Sequence, residues 1–434
     1  MYGVATDPQN AFPMVQIDRL ALFFKILSLL TVIIVGLSSV EYIRKNTPFR
    51  GEFYALTLLA GLSLMFLSSA TNLVMIYLSL EFLSITSYIL TGYLRRDARS
   101  TEAALKYLLY GAVASGTMLY GFSLLYGLTG SVDLTAIAIG LGANANLGVI
   151  VLSVIMILAG FGFKIALVPF HQWSPDAYEG APTPVTAFLS VGPKAAGMAV
   201  LIRVMVVALP EYSVNWTAIL TVVAILTMTV GNLVALWQTN MKRLLAYSSI
   251  AQAGYILIGL AAWSSEGASG ALEGISGILL YLFAYLFTNL GIFAVAIILE
   301  NKMGTSNISD YDGLLRRSPF LSVALLVFFL SLIGIPPTGG FMGKLFVFGA
   351  AIDQGLYLLA GIGVLNSVVS VYYYFGVAKR VFFVDGEDES PIQPGWVMNA
   401  VVAATLIVTL LMALYGQPFI ELTTNSSHVL ASSF

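Results

Sequence analysis

Apolar runs of about 17–25 residues, each bounded by charge, glycine or proline, recur along almost the whole chain. They begin near Leu20, Glu52, Thr71, Ala103, Leu147, Pro184, Trp216, Lys242, Ala271, Pro319, Gly355 and Trp396. At about 1.5 Å of rise per residue, each is long enough as a helix to cross the hydrocarbon layer of a bilayer. The linkers are short, and none has the length or polarity of a separate soluble unit. The pattern therefore predicts an all-α polytopic membrane protein of about twelve transmembrane helices in a single membrane domain, residues 1–434. Residues 1–19 lack the basic region and small-residue cleavage site of a secretory signal, and read as an extramembrane segment before the first helix. The final helix is expected over about 396–420.

Two of the runs carry their own interruption. The fifth reads GFGFKIALVPF into HQWSPDAYEGAPTP, and the tenth reads LSLIGIPPTGGFMGKLFVF. Paired prolines and glycines cannot sustain the helical hydrogen-bond ladder. Irregular backbone at membrane depth is tolerated only against protein or a water-lined cavity. The breaks lie five helices apart, and a five-helix unit repeated once returns inverted. Two inverted five-helix repeats, about 52–208 and about 216–384, each with a broken helix that carries a lysine, form the architecture expected of a transporter.

Basic residues test the helix count, because loops on opposite faces should differ in Lys and Arg. Loops after odd-numbered helices hold Arg44, Lys45, Arg50, Arg95, Arg96, Arg99, Lys242, Arg243, Lys302, Arg316, Arg317, Lys379 and Arg380, against Arg19 alone on the other side. So strong a bias supports the count. It places both termini on the non-cytoplasmic side of a cell (inner) membrane that the chain crosses many times.

Composition narrows the chemistry. With 58% hydrophobic and 10% charged residues and a mean hydropathy of +0.89, the chain cannot cover a soluble globule of 434 residues with polar surface. Absence of cysteine excludes disulfides, thiolate metal sites, iron–sulfur clusters and thiol nucleophiles on this chain. Two histidines, His171 and His428, are too few for haem or multinuclear metal sites. A net charge of −2 offers no field for nucleic acid. No dinucleotide fingerprint, Walker loop or metal-ligand spacing occurs. The acidic run Asp385, Glu387, Asp388, Glu389 reads as a solvated loop.

Against this background four isolated charges stand out inside apolar spans: Glu81, Lys164, Lys194 and Lys344. Each costs about 2.5–3.5 kcal/mol at bilayer depth unless paired or hydrated. The structural alternatives are a glutamate paired for packing at Glu81, a snorkelling lysine at Lys164, and a lysine that satisfies freed carbonyls at Lys344. Lys194, mid-span in TAFLSVGPKAAG, is too deep to snorkel easily. Burial favours neutral lysine and a nearby carboxylate favours charged lysine, so movement of Glu81 relative to Lys164 would switch a proton on or off. The expectation is a proton relay Glu81, Lys164, Lys194, Lys344, bridged by water and by Ser, Thr or Tyr hydroxyls. His171, beside Trp173, Asp176 and Glu179, is a candidate relay or entrance group. Lys106 and Arg203 read as interfacial anchors and Lys25 as ambiguous. Spacings such as Gly111 with Ser115 mark close helix packing.

These segments resemble the antiporter-like subunits of proton-pumping NADH:quinone oxidoreductase, respiratory complex I, and among them subunit N, called subunit 2 in mitochondria and chloroplasts. The resemblance covers nearly the whole chain. It is carried by YLSLEFLSITSYIL, AALKYLLYGAVASGTMLYGFSLLYGLTGS, GFGFKIALVPFHQWSPDAYEGAPTPVTAFLSVGPKAAG, KRLLAYSSIAQAGY and GIPPTGGFMGK. Phe170 to Lys194 is the most specific stretch, because sibling subunits L and M and the multisubunit cation/proton antiporters carry a different version after the shared Pro-Phe-His.

The resemblance implies that Glu81, Lys164, Lys194 and Lys344 match the family's glutamate and three lysines on a hydrated mid-membrane axis, driven by quinone chemistry elsewhere in the complex. It also implies no redox cofactor on this chain. Quinone, NADH, FMN and iron–sulfur clusters are expected on partner subunits. The expected partners are an M-type antiporter-like subunit, small membrane-arm subunits and lipid. A subunit of a multisubunit sodium/proton antiporter is the alternative. Two departures stand out: the family's usual fourteen helices exceed the twelve predicted here, as if the first two were missing, and Gln252 stands where relatives often place histidine.

Overall fold

The computed structural model describes residues 9–12, 14–141, 146–263, 274–386 and 390–431. An antiparallel hairpin of β1 (Gln9–Phe12) and β2 (Val15–Ile17) leads into helices throughout. The first half comprises α1 (Arg19–Asn46), α2 (Arg50–Ser69), α3 (Leu73–Thr91), α4 (Ala98–Thr129), the short α5 (Leu134–Gly140), α6 (Leu147–Ile165), α7 (Trp173–Gly180) and α8 (Thr183–Arg203). The second comprises α9 (Ser213–Ala235), α10 (Met241–Ala261), α11 (Gly274–Met303), α12 (Leu314–Arg317), α13 (Pro319–Ile333), α14 (Gly339–Asp353), α15 (Tyr357–Phe383), α16 (Trp396–Leu414) and α17 (Gln417–Ala431). Among the described residues, 11 helices are long and apolar enough to cross a membrane, and α13 with α14 makes a further, broken span.

Both predicted breaks are present, and they close in the same way. Ala166 ends α6 in the left-handed conformation at φ 66°, and Gly334 ends α13 at φ 91°. Glycine is required at the second position: an added Cβ would lie 2.8 Å from Lys344 Cδ. The freed carbonyls are answered locally. Leu167 N–H donates to Gly162 O at 2.7 Å, and the Trp173 indole donates to Phe163 O at 2.8 Å. Across the other break, the Gln252 amide donates to Leu332 O at 3.0 Å.

Burial sorts the helices into a centre and a ring. In α8, α10 and α11, 94% of the most apolar stretch is buried inside the protein, against 39% for α4 and α15. Ring helices present Leu58, Leu78, Val113 and Leu365 outward, as lipid-facing surfaces do. Lys194 lies on a central helix, α8, whereas Glu81 on α3, Lys164 on α6 and Lys344 on α14 belong to helices around it.

Two expectations need correction. The last run does not continue to about 420: α16 stops at Leu414, and Gly416 and Pro418 punctuate the chain before α17. Arg203 is no interfacial anchor but is 2% exposed, with Nη2 2.8 Å from both carboxylate oxygens of Asp18 and Nε donating to Ser68 O at 3.1 Å. Asp18 also caps α1 through Ala21 N–H at 2.6 Å, so one buried ion pair fastens α1, α2 and α8. The span expected to begin near Lys242 does so, with Lys242 in the first turn of α10 and 6% exposed. Lys106 lies within α4, 2.8 Å from both Glu102 and Asp176. Residues 387–389 of the acidic run and the expected start of the ninth span at Ala271 fall outside the described residues, as does the His428 side chain.

Candidate functional site

Lys164 occupies the last turn of α6 and is 0% exposed. A helix C-terminus carries partial negative charge, and Lys164 lies in that last turn. Its Nζ donates to Ser84 Oγ on α3 at 3.0 Å and stands 5.8 Å from the Tyr107 ring centre. Glu81 sits one turn before Ser84, on the same side of α3, within electrostatic reach of Lys164. Among the described residues it forms no direct ion pair, and its Oε1 is buried without a hydrogen-bond partner. The Ser79, Ser87 and Ser174 hydroxyls and the Tyr107 hydroxyl are buried and unpartnered too. Each such group costs about 1–3 kcal/mol. Water is the partner that a polar interior of this kind takes up.

Lys194 follows Pro193 inside α8 and is 4% exposed. Proline removes one backbone donor from the helix, so the ladder is already interrupted at this turn. Nζ donates to the backbone oxygen of Ser249 on α10 at 2.9 Å. The Ser249 hydroxyl accepts from Tyr285 at 2.8 Å and lies 3.4 Å from the Tyr178 hydroxyl. Lys194, Ser249 and Tyr285 border a void of about 10 Å³, room for about one water.

Lys344, on α14, reaches back across its break. It donates to Ile333 O, the end of α13, at 2.8 Å and to Ser367 Oγ on α15 at 3.0 Å, with Nζ 4.2 Å from the Tyr255 ring centre. A helix C-terminus, a hydroxyl and an aromatic face take the place of a carboxylate.

Between Lys194 and Lys344 lies a network that the charge pattern did not point to. Ser248, beside Ser249 on α10, is hydrogen-bonded to the Tyr374 hydroxyl. Tyr373 donates to Asn232 Oδ1 at 2.9 Å, and Asn232 Nδ2 donates to the Tyr255 hydroxyl at 2.9 Å. Gln252 accepts from the Tyr281 hydroxyl while it caps Leu332 O. Serines, tyrosines and amides are common in membrane helices, so no single one of them stands out in sequence.

His171 does not join this set. Its Nδ1 is buried without a partner, and Asp176 and Glu179 instead bind Arg243 Nη1 at 2.8 Å each. The structure therefore places three buried lysines and one half-buried carboxylate within the helix array, none in a direct ion pair among the described residues. Such groups can hold, release and pass protons. The amides of Gln252 and Asn232 can only orient them.

Residues 70–370 match the family described as NADH:quinone oxidoreductase/Mrp antiporter, TM. The NADH-quinone oxidoreductase subunit N 2 of Chloroherpeton thalassium is 43% identical over 99% of this chain and 85% of its own length. Among solved structures, a chain of respiratory complex I from Thermus thermophilus superposes with a TM-score of 0.79 at 36% identity, over 95% of this chain and 88% of that one. A chain of the Mrp complex from Dietzia sp. DQ12-45-1b reaches a TM-score of 0.85 over 96% of this chain and 84% of that one, but at 22% identity it shows the fold alone. The chain belongs to the NADH:quinone oxidoreductase/Mrp antiporter membrane family, on its subunit N branch.

Proposed function

We propose that this chain is a proton-translocating membrane-arm subunit of a quinone-reducing respiratory complex, and that Glu81, Lys164, Lys194 and Lys344 are its relay. The observation that carries the reading is the state of the three lysines. Each is buried, each is held by neutral oxygens, and each sits where a break or a proline weakens the helix. An ammonium fixed for stability would be paired with a carboxylate, because an unpaired buried charge is costly. One held by serine and carbonyl oxygens sits in a site that also accepts the neutral amine. In this reading the broken spans are equivalent elements of two inverted repeats, about 52–208 and about 216–384, with both termini on the non-cytoplasmic side.

Redox groups then reside on partner subunits, and the chain's own contribution is the conducting axis. The test is to extract membranes in mild detergent, purify the chain with whatever accompanies it, and assay quinone reduction. Co-purification with redox subunits and quinone reductase activity is the expected result. Recovery with antiporter subunits alone, without redox activity, would replace this reading with gradient-driven sodium/proton exchange.

A further inference from the structure

We propose that a polar cleft on the basic face, floored by Lys242 and Glu300, is the mouth through which protons reach Lys194. The inference rests on the relay reading above and adds a route to it. The cleft encloses about 250 Å³ where the ends of α1, α7, α10 and α11 meet, and Asp97, Arg99 and Glu179 help to line it. Every one of these segments lies on the side that carries the basic loops.

At its floor Glu300 accepts hydrogen bonds from the Tyr42 hydroxyl at 3.0 Å, the Ser306 hydroxyl at 2.8 Å and the Thr183 hydroxyl. Lys242 Nζ donates to Ala181 O at 2.9 Å and stands 3.9 Å from Glu300 Oε2. That gap is too long for a hydrogen bond, so ammonium and carboxylate are neighbours that are not locked together. A buried acid and base side by side, open to one aqueous face, can take a proton from that face and hand it inward.

A polar line runs inward from this pair. Thr183, Thr186, Ser190 and Lys194 are spaced three, four and four residues apart, so they share one face of α8, and all four are buried. On α11, Asn289 lies eleven residues, about 16 Å, before Glu300 and on nearly the same face. Asn289 Nδ2 donates to Ser190 Oγ at 2.6 Å, while its Oδ1 is buried and unpartnered. The polar faces of α8 and α11 are thus joined at both levels, at Thr183 with Glu300 and at Ser190 with Asn289. Ser190 is one turn from Lys194.

The chain contains no cysteine, so an introduced one is the single thiol on it, and reaction is read on this chain and scored against the unsubstituted complex treated identically. Thr183→Cys and Ser190→Cys are introduced separately into the complete complex in vesicles of known orientation, with a membrane-impermeant cationic methanethiosulfonate applied to either side. Thr305→Cys, at the exposed rim, establishes that reagent reaches the mouth. The expected result is modification of Thr183→Cys from the basic face only, slower modification of Ser190→Cys from the same face, and fewer protons moved per quinone reduced once either is modified. Glu300→Gln lowers the same ratio, and Glu300→Asp restores it. Silence of both buried cysteines while Thr305→Cys reacts, or equal reaction from both faces, overturns the mouth. Lys194→Ala separates the two ideas. If it abolishes pumping while the cysteines stay silent, only the mouth falls, whereas pumping that survives it removes the relay on which the mouth depends.

Discussion

The two broken spans end in the same left-handed turn and hold a lysine beside it, yet their surroundings are opposite. Around Lys164 there is a carboxylate, Glu81, whose Oε1 is buried without a hydrogen-bond partner, with Ser84 and the Tyr107 ring beside the ammonium. Among the described residues no carboxylate pairs with Lys344, and the polar groups close on one another through Ile333 O, Ser367, Gln252, Tyr255, Asn232 and Tyr373. Unsatisfied polar groups invite water and allow charge to move, whereas a closed network fixes its members. One end of the axis is built to change state and the other to hold a geometry. The same break serves both purposes because it supplies only free carbonyls and a helix end, and neighbouring helices decide what those meet.

The strongest way to break this comparison is to neutralise its mobile end. Glu81→Gln, in vesicles that contain the whole complex, is expected to slow proton transfer through this chain by about 100-fold, the scale of losing one acid–base group, and so to lower protons moved per quinone reduced. An unchanged ratio would make Glu81 a packing residue. At the fixed end the loss should appear in stability. Asn232→Leu leaves the hydroxyls of Tyr373 and Tyr255 without their partner and should cost about 1–3 kcal/mol in thermal unfolding of the purified complex. Tyr107→Phe removes a buried hydroxyl that has no hydrogen-bond partner, so stability should not fall and should rise by up to about 1–3 kcal/mol. Equal losses for these two would erase the distinction between the ends.

The turns themselves give a finer test. Gly334→Ala meets both a left-handed backbone and Lys344 Cδ, and is expected to destabilise by about 1–2 kcal/mol. Ala166→Gly relieves the same strain at the other break and should raise stability by up to about 1 kcal/mol. Thermal unfolding in detergent reads both, and opposite signs are the prediction.

Much of this was legible in sequence for a simple reason: charge inside an apolar run is costly, so Glu81, Lys164, Lys194 and Lys344 announce themselves. Helix starts fell within a few residues of the observed ones, because charged and Gly/Pro boundaries punctuate membrane helices sharply. Partners were not legible. Ser84, Ser249 and Ser367 are three neutral serines among many, and only folding brings them to the lysines. Arg203 was misjudged because its place near the end of an apolar run suggests an interface, while the residue that buries it, Asp18, is far away in sequence. Gln252 is a similar case. An amide cannot carry a proton, but here it bonds the carbonyl of a broken helix, a positional role that residue type alone does not disclose.

The central claim is that Lys194 joins the two ends. Lys194→Ala in the complete complex, reconstituted in sealed vesicles, is the most direct test, with proton transfer and quinone reduction recorded together. A collapse of protons moved per quinone reduced is the predicted result. An unaltered ratio would contradict the account and leave this chain as a scaffold that fills the membrane arm.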